Sequence, residues 1–236
     1  MLDGIGYLIE RLTGRKRRRI LALTDAESRF GEIYRLNYWG NSESRSGFGS
    51  SLAATANLRA ELPKIFERFS IGSVLDVPCG DFHWMKQIVA GSDVSYWGGD
   101  IVAPLVEKNQ ARYGSAKVRF SRIDITKDAL PHSDLLICRH CLFHLSYREI
   151  ASALRNYWNS GIPYLLVTSH LPANGEIVNT DIETGDFRVL DLHKAPFNFP
   201  QNARTRIRDY IPPDQPMELC LWHRDDIANA IGSLAI

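Results

Sequence analysis

The sequence predicts an α/β protein whose mostly parallel sheet carries helices on both faces. Three observations predict it. From residue 73 onward, short apolar runs alternate with longer stretches of helical periodicity, strand first and helix second, several times over. The first apolar run ends at Asp76 and turns through Pro78-Cys79-Gly80 into a helical pattern, which places a tight turn at the carboxyl edge of the sheet, where ligands bind in such folds. The 236 residues, 44% hydrophobic and 23% charged, suffice for one large domain with a sizeable core and would be cramped as two.

The elements follow in order. Residues 73–77 form the first apolar run and read as a buried strand, with a helix over 82–90. A second strand over 94–100 ends in Asp100 and is followed by a helix over 103–113. A third strand covers 117–123 and a fourth 135–139. The segment 147–160 has good helical periodicity, and 164–169 is a fifth apolar strand. A stretch rich in Asn, Asp, Gly and Pro then runs from 170 to about 202, too long for a simple connector and therefore expected to act as a lid or acceptor-side loop. A strand pair, 205–211 and 217–223, joins through the proline-rich turn at 212–216, and a last helix covers 225–231. Ahead of the first strand, 52–69 reads as one helix, or as two with a break near Pro63. Residues 1–36 read as a basic helical extension and 37–236 as the domain.

Lys and Arg number 28 against 27 Asp and Glu, a net charge of +1, so nothing in the overall charge points to nucleic acid and none is expected as a partner. The charge is uneven: six basic residues, Arg11 and Arg15 to Arg19, crowd the first twenty positions against Asp3 and Glu10. Leu2, Ile5, Leu8, Ile9 and Leu12 recur at roughly helical spacing ahead of them, so residues 1–20 are either a solvated extension or a basic amphipathic helix making weak peripheral contact with an anionic membrane face. No apolar run approaches transmembrane length. The four cysteines lack the density of a disulfide scaffold and fit a reducing, cytoplasmic setting, at most peripheral to the inner face of the membrane. Cys138, His140, Cys141 and His144 offer zinc-ligand types, but one short segment cannot easily wrap a tetrahedron, and no metal is expected.

The turn after the first strand decides between adenosyl cofactors. A dinucleotide fold needs glycines there because a pyrophosphate rests on the helix N-terminus. Pro78 and Phe82 occupy two of those positions, and Asp81 puts negative charge where the phosphate would lie. S-adenosylmethionine (SAM) has no phosphate and carries a cationic sulfonium and an ammonium, for which an acidic turn is favourable. Gly80 permits close backbone approach, Asp76 can accept hydrogen bonds from a ligand or an ordered water, and Asp100 can accept both hydroxyls of an adenosyl ribose.

Residues 74–81, Val-Leu-Asp-Val-Pro-Cys-Gly-Asp, resemble motif I of the class I SAM-dependent methyltransferases in a variant that keeps only the central glycine. Gly98-Gly99-Asp100-Ile101 resembles motif II, and Leu136-Ile137-Cys138-Arg139 the motif IV strand. From Tyr38 on, the chain is similar to a bacterial methyltransferase group associated with polysaccharide biosynthesis, through Trp39-Gly40, the 46–50 loop, Cys79 to Phe82, Cys141 to Ser146 and Thr184 to Arg188. The resemblance implies a Rossmann-like, mostly parallel seven-stranded sheet with an antiparallel last strand. It implies SAM as cofactor and O-methylation of a carbohydrate or sugar-containing intermediate by in-line transfer. Methylation of another small molecule or a protein side chain, and a catalytically silent SAM-binding module, are the other readings that one scaffold allows.

The implied cofactor residues are Asp76, Pro78, Cys79, Gly80, Asp81, Asp100, Ile101 and Arg139, with Asp124 and Ile125 at the adenine. Trp39 and Gly49 belong to an expected flap, and Arg59 is expected to reach the cofactor carboxylate. Removing a proton from a hydroxyl acceptor requires a base near the end of the fourth strand, for which His144 and His140 are the candidates. In the 170–202 loop, His170, Asp186 and Arg188 are expected to bind acceptor hydroxyls, and Phe187, Phe197 and Phe199 to offer flat faces to a sugar ring.

Overall fold

The computed structural model describes residues 14–39, 42–212 and 214–234. The expected helix over 2–12 lies outside the described residues. A seven-stranded sheet in the order β3-β2-β1-β4-β5-β7-β6 forms the centre. Its strands are β1 (Ser73–Asp76), β2 (Ser95–Asp100), β3 (Val118–Arg122), β4 (Leu135–Cys138), β5 (Tyr164–His170), β6 (Thr205–Arg208) and β7 (Met217–His223). β7 runs antiparallel to its neighbours β5 and β6, and the β3-β2-β1-β4-β5 pairings are all parallel. This is the mixed sheet that the resemblance implied. Strand order reverses between β1 and β4, and a crevice opens at such a switch point.

Helices cover both faces: residues 14–21 form α1, followed by α2 (Ala26–Arg35), α3 (Ala56–Arg68), α4 (Met85–Ala90), α5 (Ala103–Tyr113), α6 (Tyr147–Ser160) and α7 (Ala228–Gly232). Two hydrophobic clusters flank the sheet. One centres on Leu136, Ile150, Leu165, Val167 and Trp222, the other on Leu58, Leu62, Leu135, Ile137, Leu166 and Leu219. Alternate residues of β4 and β5 thus enter opposite clusters, the reason these strands read as unbroken apolar runs.

α6 has the boundaries that its sequence predicts because both ends are marked: Ser146 caps the first turn by accepting from Glu149 N at 3.3 Å, and Gly161 closes the last turn at φ +77°. Three expectations change. α3 runs unbroken through Pro63, since Leu58, Leu62, Ile65 and Phe66 bury one face, and that burial exceeds the ~3 kcal/mol an interior proline costs. α4 begins at Met85 rather than 82, because Phe82 sits at φ +57° with its ring packed among Tyr96, Tyr113 and Phe120. The 171–202 segment, expected as an acceptor-side loop, has no regular elements but contributes to the core. Leu190, Leu192, Phe197 and Phe199 are buried, Phe199 edge-on to Trp222 and Phe197 edge-on to Tyr147. Those two phenylalanines serve the core, which corrects their expected role as sugar platforms.

Candidate active site

A cavity with about 1110 Å³ of empty space, part of it open to solvent, lies at the carboxyl ends of β1 to β4. Its floor comes from Asp76 to Asp81, Asp100 to Val102, and Ile123 to Thr126, and one wall from Arg139 to Cys141 with His144 and Leu145. The roof is N-terminal: Ala26, Phe30 and Tyr34 of α2, then Trp39, Arg45, Ser46 and Ser50. α2 is held there by the Arg29 guanidinium donating to the Thr184 carbonyl at 2.8 Å and by an Arg122–Glu27 ion pair at 2.7 Å.

The two strand-end acids are buried side by side. Tyr96 O–H donates to Asp76 at 2.7 Å, and burial raises the Asp76 carboxyl to about 7. Asp100 accepts from Val102 N at 3.0 Å and Gly80 N at 3.1 Å, and burial raises it to about 6. A cavity floor that penalises negative charge in this way favours a ligand that supplies positive charge or donors.

Gly80 is required by space as well as by backbone. Its φ is +55°, and an added Cβ would lie 2.2 Å from Ser46 Oγ. That hydroxyl accepts from Asp81 N at 3.0 Å, while the Asp81 carboxylate accepts from Ser44 Oγ at 3.0 Å and Arg45 N at 2.9 Å. Asp81 therefore fastens the 44–46 loop over the turn. Gly80→Ala is expected to unseat that loop and destabilise the fold by about 1–3 kcal/mol, read as a lowered Tm. An unchanged Tm would show the loop free to move aside.

Asp124 lines the cavity but turns inward, accepting from Thr126 N at 3.0 Å and Thr126 Oγ1 at 2.6 Å, with Lys127 at 3.0 Å. Burial opposes its ionisation, and the Thr126 bonds with Lys127 outweigh burial, holding the carboxyl below its usual range. Ile125, Ile101, Pro78 and Cys79 also line the space. Gly49 and Arg59 do not. Gly49 packs on the wall from outside, where an added Cβ would meet His140 Cε1 at 2.7 Å, and its carbonyl accepts from Arg139 Nη2 at 2.6 Å. Arg59 donates to Gln87 Oε1 at 2.9 Å and the Leu52 carbonyl at 2.8 Å.

Asp209, just past β6, carries no local sequence signal and organises the wall. Arg139 meets it in a two-pronged ion pair, Nε to Oδ2 and Nη2 to Oδ1, both at 2.8 Å. His140, held at φ +52°, brings Nε2 to 3.0 Å from the same carboxylate. Arg139 and His140 together hold Asp209 below the usual carboxylate range despite its burial. Burial and the adjacent Arg139 push the His140 pKa down.

His144 is arranged differently. Its Nδ1–H donates to the Asp186 carbonyl at 2.7 Å, which fixes the tautomer and leaves the lone pair on Nε2 of a ring that lines the cavity. Burial lowers its pKa to about 4, so the ring is neutral at physiological pH. The segment that supplies the carbonyl wraps the residues after β4. Gly185 N donates to the His144 carbonyl at 2.8 Å, Arg188 N to Phe143 at 3.2 Å, Ser146 N to Thr184 Oγ1 at 2.9 Å, and Arg188 Nη1 to Leu145 at 2.7 Å. Arg188 is buried in that frame rather than offered to a ligand. His170 is likewise buried, its Nδ1 accepting from Leu190 N at 3.2 Å, and neither residue lines the cavity. Asp186 pairs its carboxylate with Arg17 of α1, Arg17 Nε donating at 2.9 Å. Away from the cavity, His193, Glu218 and Cys220 bring ligand-type atoms within 4.8 Å of one another, and Arg206 Nη1 sits among them, 3.3 Å from His193 Nε2 and 3.7 Å from Cys220 Sγ. The guanidinium makes that group a closed ion-pair cluster.

No family model matches the chain, and no curated protein sequence matches it. Solved structures do. Human N-acetylserotonin methyltransferase in complex with SAM is 16% identical over 88% of this chain and 64% of its own, with a TM-score of 0.58. PigF with SAH is 14% identical over 90% of this chain and 68% of its own, TM-score 0.59. Magnesium protoporphyrin IX methyltransferase from Synechocystis with bound SAM is 12% identical over 85% of this chain and 98% of its own, TM-score 0.56. The chain thus spans somewhat under two thirds of the human protein's length, 64%. The shared architecture is the Rossmann-like fold of the class I SAM-dependent methyltransferases.

Proposed function

We propose that this chain is a SAM-dependent methyltransferase that methylates a hydroxyl of a carbohydrate or sugar-containing small molecule. The observation that carries the reading is one cavity with two unlike ends. Its floor is a pair of buried acids beside a glycine turn, and its wall presents a neutral imidazole with a free acceptor nitrogen. SAM fits the floor by charge and by shape, since Gly80 keeps the turn open and Asp100 can accept ribose hydroxyls. Bound there, SAM supplies an electrophilic methyl on a sulfonium. His144 Nε2 takes the acceptor's proton as the new bond forms, with the Asp186 carbonyl orienting the ring. His140 is the weaker candidate for base, because its Nε2 already faces Asp209.

The cofactor carboxylate falls to Arg45 rather than Arg59. Of the two cations that line the cavity among the described residues, Arg139 is bound to Asp209, whereas the Arg45 guanidinium donates to the Tyr34 carbonyl at 3.1 Å and to no carboxylate among the described residues. Arg45→Ala is expected to weaken SAH binding by about 10- to 100-fold and to leave 5′-methylthioadenosine, which lacks the amino-acid moiety, unaffected. Equal losses for the two ligands in calorimetry would assign Arg45 to loop structure alone.

The carbohydrate acceptor draws support from the likeness to the polysaccharide-associated group and from the aromatic rings around His144. A site of action at the cytoplasmic face of a membrane is consistent with four free, buried cysteines and with Arg15 and Arg18 exposed on α1. No helix among the described residues is long and apolar enough to cross a membrane. Calorimetry with SAM and NAD, followed by transfer of labelled methyl from SAM to a panel of methyl glycosides, tests the reading. SAM binding without NAD binding, and label in a glycoside, are expected. Binding without transfer to any acceptor would favour a silent SAM-binding module.

A further inference from the structure

Two large aromatic side chains beside His144 stay in solvent: Trp39, which lines the cavity, is 38% exposed and Phe187 54%. Both stand against one imidazole, the Trp39 ring 5.6 Å from that of His144 and the Phe187 ring 6.0 Å from it. Neither is loose. Phe187 is backed by Phe143 at 5.6 Å and His170 at 6.2 Å, both edge-on. Trp39 is backed by Gly47, where an added Cβ would lie 3.2 Å from Trp39 Cβ. Exposed apolar rings that are held in place gain free energy when a flat apolar surface covers them.

We propose that Trp39 and Phe187 form an acceptor clamp that grips a pyranose ring and presents one of its hydroxyls to His144. This rests on the methyltransferase reading of the cavity. A pyranose has the two surfaces the mouth asks for: a face of C–H groups for the aromatic rings and an edge of hydroxyls. The surroundings of the clamp suit that edge, because Asp186 and Glu183, in the segment that carries Phe187, pair with Arg17 and Arg29 and make a polar rim. A planar phenol would cover the rings with equal ease but carries no second edge of hydroxyls to meet the polar rim that these ion pairs form. The clamp assigns His170 and Arg188 a bracing part in place of direct acceptor contact, since His170 backs Phe187 and Arg188 anchors its strand of chain to Leu145.

The test compares wild type, Trp39→Ala, Phe187→Ala, Trp39→Phe and Phe187→Tyr. Methyl glycosides of glucose, mannose, galactose and rhamnose serve as acceptors and catechol as the planar comparator. Each alanine variant is expected to raise KM for the preferred glycoside about tenfold, with SAH affinity unchanged in Phe187→Ala, whose ring lies outside the cavity lining, and the aromatic replacements to restore most of the loss. In saturation-transfer NMR of the SAH-loaded protein, the ring C–H protons of the glycoside should be the most strongly saturated and should lose that signal in both alanine variants. Unchanged KM and NMR signal in the alanine variants would overturn the clamp. So would SAH binding accompanied by methylation of catechol and of no glycoside. Failure of the wild-type protein to bind SAH would instead remove the underlying methyltransferase reading, and the clamp with it.

Discussion

Replacing His144 with alanine is expected to lower kcat about 100-fold while SAH affinity stays within twofold. General-base assistance contributes ~10²–10⁴ in rate, and the buried His144, with its pKa near 4, is a weak base that belongs at the lower end of that range. The same burial fixes the pH dependence. An ordinary histidine begins to protonate below about pH 6.5; here the ring stays neutral until the pH approaches 4, so the acid limb assigned to the base in a kcat profile should fall near 4. Turnover retained in His144→Ala would remove His144 as the base and leave His140 as the candidate. An acid limb near 6.5 would contradict the burial of the ring.

The second large effect is expected at Asp100. Asp100→Asn should weaken SAH binding by about two orders of magnitude, because two ribose hydroxyls lose a charged acceptor and hydrogen bonds to charged groups contribute ~1.5–3 kcal/mol. It should also flatten a pH dependence. Burial raises Asp100 to about 6 and Asp76 to about 7, so in the free protein both take up protons as the pH falls through that range. Binding that needs the ionised carboxylates then weakens by up to tenfold per pH unit for each. Stability runs in the opposite direction. Both acids hold protons in the folded state that the unfolded chain releases near the ordinary value of 3.8, so their contribution is complete below that value and is lost as the pH rises towards 6 and 7. Calorimetry of SAH binding from pH 5 to 8 checks the first statement. Affinity that is level over that range would show that the acids do not meet the cofactor.

The sheet was legible because its strands are buried on both faces: Leu135 to Cys138 and Leu165 to Val167 read as continuous apolar runs, and helix ends carried their own marks at Ser146 and Gly161. The cavity floor was legible for a related reason, since in a parallel sheet the residues at the ends of successive strands meet in space, and Asp76, Gly80 and Asp100 follow from strand ends alone. The wall was not. Arg139 reaches Asp209 and the Gly49 carbonyl across long stretches of chain, and nothing near any of the three announces the other two. Nor was the roof: Phe30 and Tyr34 fall within residues 1–36, read only as a basic helical extension, and it is the docking of α2 through Arg29 and Glu27 that turns them onto the cavity. For Phe197 and Phe199, the error came from reading an Asn- and Pro-rich segment as an acceptor-side loop whose aromatic rings face a ligand. Composition reported the missing regular elements and was silent about burial, which here is supplied by Trp222 and Tyr147.

The mouth of the cavity is assembled from parts that the sheet does not depend on. Trp39 precedes the domain's strands, and Phe187 lies in an irregular segment whose own main chain, not its side chain at that position, does the docking. The floor, by contrast, is made of strand ends and the turns that follow them directly, Asp76 to Asp81, Asp100 to Val102 and Ile123 to Thr126. On the proposed function, acceptor choice can therefore be varied at a few exposed aromatic positions without altering the strand ends that face the cofactor. Directed evolution for altered acceptor choice has a small and foldable library to search at those positions.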